Sequence, residues 1–162
     1  MKIVIISDSH GHIQRIRHVV GFIAKIKADA IIHCGDWDNE ESVVEVAKAK
    51  IPVYGVLGNA DYNPFVEGKL SQLKIVYNPD VLEIEVSSKK ILVCHFPGRL
   101  IQELDKEKGI FDIAFHGHTH REKEAVYKGT KIVNPGALQS LTPSFAIYDL
   151  DANAVEFIDI EV

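Results

Sequence analysis

Residues 2–10 read KIVIISDSH, and this run sets the expected fold class. Its near-continuous Ile and Val residues are typical of a strand that is covered on both faces, as in a parallel sheet. Apolar residues then recur at helical spacing from Ile13 to Ile26, with basic residues between them. A buried strand followed by an amphipathic helix predicts the first unit of an α/β protein.

The alternation of strands and helices continues through the first third of the chain. We predict a strand at residues 29–34, a helix at 40–48 and a strand at 53–57. The second half favours a different order: hairpins at 81–95, 125–133 and 144–160, a helix at 99–108 and a strand at 112–116. The sequence therefore predicts two mixed sheets that face each other with helices outside, and we assign the C-terminal strands to the second sheet.

Composition fits a single domain that spans residues 1–162. Hydrophobic residues make up 46% of the chain and charged residues 25%, which is ordinary for a globular protein. No apolar run approaches the roughly 20 residues needed to cross a bilayer, and the run before Ser9 is too short for a signal peptide. We therefore expect a cytoplasmic protein that has no membrane partner. Cys34 and Cys94 do not make a disulfide framework and are expected as thiols.

The net charge of −5 restricts the partners. The chain has no overall basic field, so long nucleic acid is not an expected ligand. If the substrate carries phosphate, positive charge must be supplied locally, and metal ions are the simplest source.

Residues that commonly bind metals follow five of the apolar runs. These residues are Asp8 and His10, Asp36, Asn59, His95, and His118 and His120. Because the carboxyl ends of strands with a shared direction meet at one edge of a sheet, we expect these side chains to converge. Gly35, Gly58 and Gly117 stand directly before ligand candidates, where a sharp turn can aim a side chain.

The ligand types indicate the chemistry. Imidazole, carboxylate and amide oxygen suit Mn²⁺, which we expect first, and also Ni²⁺, Zn²⁺, Fe²⁺ or Co²⁺. Seven ligands are too many for one tetrahedral zinc but suit two ions that share a carboxylate. Two divalent ions, two aspartates and a bridging hydroxide sum formally to about +1, which attracts an anionic phosphate. The sequence therefore predicts a phosphoesterase with two divalent metal ions.

The motifs SDSH, HCGD, GNAD, a strand-ending CH and GHTH occur in an order that resembles the calcineurin-like metallophosphoesterase superfamily. The pattern through VNPG resembles its small prokaryotic phosphodiesterase branch. The resemblance implies a four-layer α/β/β/α sandwich and two ions about 3.5–4 Å apart, with a shared hydroxide that attacks phosphorus in line. It implies one ion on Asp8, His10, Asp36 and His120, and a second on Asp36, Asn59, His95 and His118.

The chain also departs from the patterns of this superfamily. Many members carry a His after the motif Asn as general acid, and here that position is Ala60. Because positioned acid catalysis is worth about 10²–10⁴-fold, we expect leaving groups of low pKa to be favoured. The GDxxDRG motif of protein phosphatases is missing after Asp36, and the usual HGH reads His95-Phe96-Pro97.

Several other polar residues have two interpretations. We expect Asp36, Asn59 and His95 to take part in catalysis, and Asn59 to contact substrate. His12 either contacts substrate or is a solvated residue at a helix start. Asp61 is either a turn cap or an acidic group of the site.

Supporting roles are expected for a further set of residues. His116 is expected to support or pack beside the ligands, and the resemblance implies that Asn134 supports the histidine ligands. His33 is expected to be a hydrogen-bonded structural imidazole. Trp37 and Phe96 either form walls of the pocket or belong to the core.

The favoured function is metal-dependent hydrolysis of a small phosphodiester or nucleotide. The alternative is a protein-interaction scaffold of the same fold, because one trafficking subunit of the superfamily works in that way. A nuclease is disfavoured, because the short acidic chain has no capping domain or basic surface for DNA. The oligomeric state stays open, with a homo-oligomer among the options.

Overall fold

The computed structural model describes residues 1–106 and 111–161, which contain eleven strands and four helices. In chain order they are β1 Lys2–Ile6, α1 Ile13–Ile26, β2 Ala30–His33, α2 Glu40–Ala47, β3 Val53–Val56, α3 Pro64–Gln72, β4 Val76–Asn78, β5 Val81–Val86, β6 Lys89–Cys94, α4 Pro97–Lys106, β7 Ile113–Phe115, β8 Glu122–Tyr127, β9 Thr130–Pro135, β10 Ser144–Asp149 and β11 Ala154–Asp159. None of the helices in this described part is long and apolar enough to cross a membrane.

The strands form two mixed sheets. The first has the order β11-β10-β1-β2-β3-β4, in which β1 to β4 run parallel. Strand β10 pairs antiparallel with β1, and β11 pairs antiparallel with β10. The second has the order β5-β6-β7-β9-β8, with a parallel centre and an antiparallel strand at each edge. This arrangement confirms the prediction of two mixed sheets.

Three apolar layers hold the four structural layers together. In β1, Ile3 and Ile5 belong to the core between the sheets, while Val4 and Ile6 belong to the core under the first three helices. This division follows from the two-residue period of a strand, whose successive side chains point to opposite faces. Helix α4 covers the outer face of the second sheet through Leu100 and its neighbours. The order is therefore helices, sheet, sheet, helix.

Most predicted elements are confirmed, because their apolar patterns are long and regular. The helix at residues 13–26 and the three hairpins are present, and the last two residues of the predicted helix at 99–108 lie outside the described residues. The assignment of the C-terminal strands to the second sheet is wrong for β10 and β11. They pair beside β1, with Ala146 opposite Ile5, because Phe145 extends the core under α1, where its ring packs against Phe22.

Helix α3 and strand β4 were not predicted. Helix α3 buries only Val66 and Leu70, so its apolar stripe is weak. Its start was nevertheless readable, since Asn63 caps the helix and Pro64 occupies the first turn. Strand β4 has three residues, none of them buried, and therefore gives no buried-strand pattern.

Candidate metal centre

The seven predicted metal ligands meet where the carboxyl ends of five strands come together. They follow β1, β2, β3, β6 and β7 in the order Asp8 and His10, Asp36, Asn59, His95, and His118 and His120. Backbone hydrogen bonds join these strand ends. The Asp8 N–H donates to the Gly35 carbonyl oxygen at 3.0 Å, and the Gly117 N–H donates to the His95 carbonyl oxygen at 3.1 Å. The second of these bonds crosses between β6 and β7 of the second sheet.

Four of the candidate ligands form one tight cluster. One ligand atom from each lies within 4.8 Å of all the others, in Asp8, His10, Asp36 and His120. Nε2 of His120 is 3.1 Å from Oδ1 of Asp8, and Nε2 of His10 is 3.3 Å from Oδ2 of Asp36. Two carboxylates and two imidazoles are thus directed at a common point, as metal ligands would be.

The other three candidates also border Asp36. Nε2 of His95 lies 3.4 Å from Oδ2 of Asp36 and 3.1 Å from Oδ1 of Asn59. Nδ1 of His118 lies 2.9 Å from the same oxygen of Asn59. Asp36 therefore touches both groups of ligands, which is the position that a bridging carboxylate requires.

His95 is held with a defined proton position. Its Nδ1 lies 2.8 Å from the Cys34 carbonyl oxygen, and because a carbonyl oxygen only accepts, Nδ1 carries a proton. In the neutral imidazole, Nε2 then has a free lone pair, directed at the oxygens of Asp36 and Asn59. Three electron-rich atoms that meet in this way are stabilised by a cation among them.

The burial and charge of the two aspartates also favour a cation at this place. Asp8 is 0% and Asp36 1% exposed, and within residues 1–106 and 111–161 their ion-pair partners are all histidines. Burial raises the pKa of Asp8, so its charged form needs nearby positive charge. Nε2 of His10 is buried and forms no hydrogen bond within the described part of the chain, although Asp36 Oδ2 lies 3.3 Å away. Because buried charges are normally paired or coordinate a metal, this donor set fits divalent ions.

Backbone strain is concentrated at these residues. Five of the seven candidates have positive φ angles in the left-handed region: Asp8 (50°), His10 (39°), Asp36 (60°), His118 (68°) and His120 (56°). A non-glycine residue in an unfavourable backbone conformation costs on the order of 1 kcal/mol, and such residues cluster at functional sites. Holding these side chains toward the centre therefore lowers the stability of the fold.

Asp61 connects the loops that carry Asp36 and Asn59. Its carboxylate accepts hydrogen bonds from the backbone N–H groups of Asp36 at 2.9 Å, Asp38 at 2.8 Å and Gly58 at 2.8 Å. Burial raises the pKa of Asp61, while these N–H groups act in the opposite direction. We assign Asp61 to positioning of the two ligand loops.

Asn134 braces the loop that carries His118 and His120. Its Nδ2 donates to the Gly117 carbonyl oxygen and to Thr119 Oγ1, both at 2.9 Å. His116 is buried beside it, with Nδ1 3.0 Å from the Gly117 carbonyl oxygen, and burial lowers the pKa of its imidazole. Both residues lie behind the loop, in positions that support it.

All three glycines before the ligand candidates lie where a side chain would clash with a neighbour. A Cβ on Gly117 would lie 1.9 Å from Ser7 Oγ, and a Cβ on Gly58 would lie 2.2 Å from Asp36 Oδ1. Only Gly35 among the three has a positive φ, at 98°. The expected sharp turn therefore applies to Gly35, where a Cβ would also lie 2.7 Å from His95 Nδ1, whereas the other two glycines only let neighbouring side chains approach the backbone.

The two aromatic residues that flank the ligands in sequence have different positions. Trp37 is fully buried, donates from Nε1 to the Val56 carbonyl oxygen and stacks on His33, so it belongs to the core. Phe96 is 40% exposed, with its ring centroid 4.8 Å from that of His118, so it forms part of the rim of the site. His33 is the expected structural imidazole, with Ser9 Oγ 3.0 Å from Nε2.

The remaining sequence candidates lie beside the centre or in the core. His12 is the exposed N-cap residue of α1, and its side chain makes no capping hydrogen bond. Cys34 and Cys94 are fully buried free thiols, as expected, and burial raises the pKa of Cys94 to about 12. Sequence reasoning missed Arg121, an exposed residue directly after His120. The sequence feature that could have identified it is a positively charged residue directly after the GHTH motif of residues 117–120.

This sandwich, with carboxylate, amide and imidazole ligands gathered at one edge, defines a candidate binuclear metal-dependent hydrolase. Residues 1–153 match the family model of the calcineurin-like phosphoesterase superfamily domain, and the chain therefore belongs to that superfamily. The family predicted from the sequence motifs is confirmed.

Individual relatives agree with this assignment. A phosphodiesterase of Methanocaldococcus jannaschii is 26% identical over 141 residues, which cover 84% of this chain and 83% of the relative. A probable metallophosphoesterase of Bacillus subtilis is 30% identical over 173 residues, covering 98% of this chain and 91% of the relative. Among solved structures, an archaeal phosphodiesterase has a TM-score of 0.88 at 23% identity, covering 99% of this chain and 100% of that chain. The last match confirms the predicted fold class.

Proposed function

We propose that this protein is a metal-dependent phosphodiesterase that hydrolyses small phosphodiesters or nucleotides. One observation carries the proposal: seven candidate ligand side chains lie together, and the two buried carboxylates among them have, in the described residues, only histidines as ion-pair partners. The names of two relatives, a phosphodiesterase and a probable metallophosphoesterase, agree with this chemistry.

Each part of the ligand set would have a separate task. Asp8, His10, Asp36 and His120 would hold one ion, and Asp36, Asn59, His95 and His118 the other. Divalent ions in this place supply positive charge for phosphoryl oxygens and an activated water. The mixed nitrogen and oxygen donors suit Mn²⁺, which we propose first, and also Ni²⁺, Zn²⁺, Fe²⁺ or Co²⁺.

The neutral side chain of Asn59 preserves the positive charge of the site. A carboxylate at this position would add a negative charge beside His95 and His118, whose ring nitrogens lie 3.1 Å and 2.9 Å from the amide oxygen. An amide oxygen supplies a ligand without that charge. The centre therefore keeps its attraction for an anionic diester.

The leaving group receives no proton from position 60. Ala60 contributes only its backbone N–H, which donates to Asp36 Oδ1 at 2.8 Å. Positioned acid catalysis is typically worth about 10²–10⁴-fold, so esters whose alcohols have a low pKa are the favoured substrates. Nitrophenyl esters meet this requirement.

Hydrolysis of bis-p-nitrophenyl phosphate with Mn²⁺ tests the proposal. Wild type is compared with Asp36→Asn, His118→Ala and the control His18→Ala, which changes an exposed histidine of α1. Because Asp36 and His118 lie in the ligand set, we expect each of the first two to lower the rate by about 100-fold or more. The control should retain the wild-type rate. Equal rates in all four proteins would end the proposal.

Metal analysis separates the enzyme from the alternative scaffold. We expect about two Mn²⁺ ions per chain after loading, because the ligands form two groups that share Asp36. Asp36→Asn should reduce this number, and His18→Ala should leave it unchanged. Fewer than one ion bound to wild type would favour the scaffold.

A further inference from the structure

A polar cleft opens beside the metal centre, next to His120. It has a volume of about 300 Å³ and is lined by His120, Arg121, Glu122, Thr142, Ser144 and Asp159. His120 joins the two spaces, because its Nε2 lies 3.1 Å from Asp8 Oδ1 in the candidate centre while the same residue lines the cleft. The cleft therefore borders the candidate centre at His120.

Arg121 differs from the other three arginines of the chain. Arg15 donates to backbone carbonyl oxygens, Arg17 pairs with Glu45, and Arg99 pairs with Asp80 and a second acid. Within the described ranges, Arg121 makes neither a hydrogen bond nor an ion pair. A guanidinium with all five N–H donors free, one residue from a metal ligand, is suited to bind an anion.

The acidic residues of the cleft are not partners of Arg121. Glu122 and Asp159 line the same space, yet no ion pair joins either of them to Arg121 in the part of the chain that the structure describes. Their carboxylates are acceptors, and Thr142 adds a hydroxyl that both donates and accepts. Carboxylates and a hydroxyl bind alcohol hydroxyls well. The two carboxylates repel any ligand whose negative charge extends over the part that faces them.

The geometry points to a sugar with a second anionic group as the occupant of this cleft. We propose that the cleft binds the non-reacting ester group of the diester, with Arg121 on a phosphate or carboxylate and with Glu122 and Asp159 on sugar hydroxyls. This assignment rests on the proposed function, because it places the reacting phosphate at the metal centre. A volume of about 300 Å³ suits a group of that size.

Two matched ligands test the role of Arg121 without relying on turnover. Fructose 1,6-bisphosphate and fructose 1-phosphate differ by one phosphate, and calorimetry on the Mn²⁺-loaded protein measures the Kd of each. We expect wild type to bind the bisphosphate about tenfold more tightly, as one charge-assisted contact allows. Arg121→Ala should bring the ratio of the two Kd values close to one, and Arg121→Lys should keep part of it.

Lys25→Ala is the matched control for charge. It removes one exposed positive charge near the far end of α1, about 20 Å along the helix from His12, and should keep the wild-type ratio. A tenfold ratio that persists in Arg121→Ala would overturn the proposal. So would equal binding of both ligands to wild type, or no binding of either.

The carboxylates are tested with a second pair of ligands. Wild type should bind fructose 1-phosphate more tightly than methyl phosphate, and Glu122→Gln with Asp159→Asn should reduce that preference several-fold. An unchanged preference in the double variant would refute the sugar contacts. If these binding differences appear but no diester is hydrolysed, the proposed function fails, and the cleft remains a binding site for an anionic sugar.

Discussion

Replacing Gly117 with alanine adds one methyl group where two buried side chains already crowd the backbone. The new Cβ would lie 1.9 Å from Ser7 Oγ and 2.7 Å from Asp8 Oδ2. Ser7 and Asp8 are both 0% exposed, so neither can move into solvent to make room. The backbone of Gly117 is not in the left-handed region, so the clash alone determines the result.

The expected loss of stability follows from two opposing contributions. Overpacking of a buried position costs about 1–3 kcal/mol, while alanine restricts the unfolded chain and returns about 0.4–1 kcal/mol. The net loss is about 1–2 kcal/mol, which lowers Tm by about 2–8 °C in a chain of this length. Because Asp8 must shift, the affinity for Mn²⁺ should fall by at least about tenfold.

Thermal unfolding in EDTA and Mn²⁺ titration calorimetry measure the two effects. Gly68→Ala is the control, because a Cβ there meets nothing within 4 Å in helix α3 and should leave Mn²⁺ binding unchanged. The double variant Ser7→Ala/Gly117→Ala should recover part of the lost stability, since it removes the oxygen that is closest to the new methyl group. The reasoning is refuted if Gly117→Ala is as stable as the control and binds Mn²⁺ equally well.

Two further substitutions test the supports of the site and of the fold. Asp61→Asn should lower the free energy of unfolding by about 1.5–3 kcal/mol and weaken Mn²⁺ binding, because an amide cannot accept all three backbone N–H groups that the carboxylate accepts. Urea unfolding and calorimetry measure this, with Asp151→Asn as an exposed control. Glu45→Gln should destabilise the protein by about 0.5–1 kcal/mol at pH 7, because Glu45 pairs with Arg17 and Lys48.

The Glu45 effect has a defined pH dependence. Burial acts to raise the pKa of Glu45, but hydrogen bonds from Lys48 and Arg17 outweigh it and leave the pKa below the ordinary value of 4.5. Since the folded pKa is lowered, the stabilisation is complete above about pH 4.5 and is lost as the pH falls through the folded pKa. Urea unfolding of both proteins at several pH values checks this. A stability difference between wild type and Glu45→Gln that is constant from pH 7 to pH 3 contradicts the assignment of these ion pairs. The prediction for Asp61 is contradicted if Asp61→Asn has the stability and the Mn²⁺ affinity of wild type.

The elements that could be predicted are those with strong local patterns. Helix α1 begins and ends where its apolar spacing does, and it buries Ile16, Val19 and Ile23 as that spacing requires. The hairpin of β10 and β11 was also predicted, but the sheet that it joins depends on packing of Phe145 and Phe22, which are distant in sequence. Local pattern therefore identified strands, and long-range packing determined their neighbours.

The same limit applies to the site. Residue types at strand ends were enough to select the ligand candidates, because parallel strands bring their carboxyl ends to one edge. Sequence could not distinguish buried Trp37 from partly exposed Phe96, since both follow a ligand or a strand directly. It also missed Arg121, whose significance depends on a cleft formed with Asp159 from the other sheet.

Anomalous diffraction from crystals grown with Mn²⁺ tests the central claim most directly. Two anomalous peaks are expected, one in contact with Asp8, His10 and His120, the other in contact with Asn59, His95 and His118, and both in contact with Asp36. Absence of any peak between Asp8 and His120, in crystals where Mn²⁺ is visible elsewhere, would contradict the account.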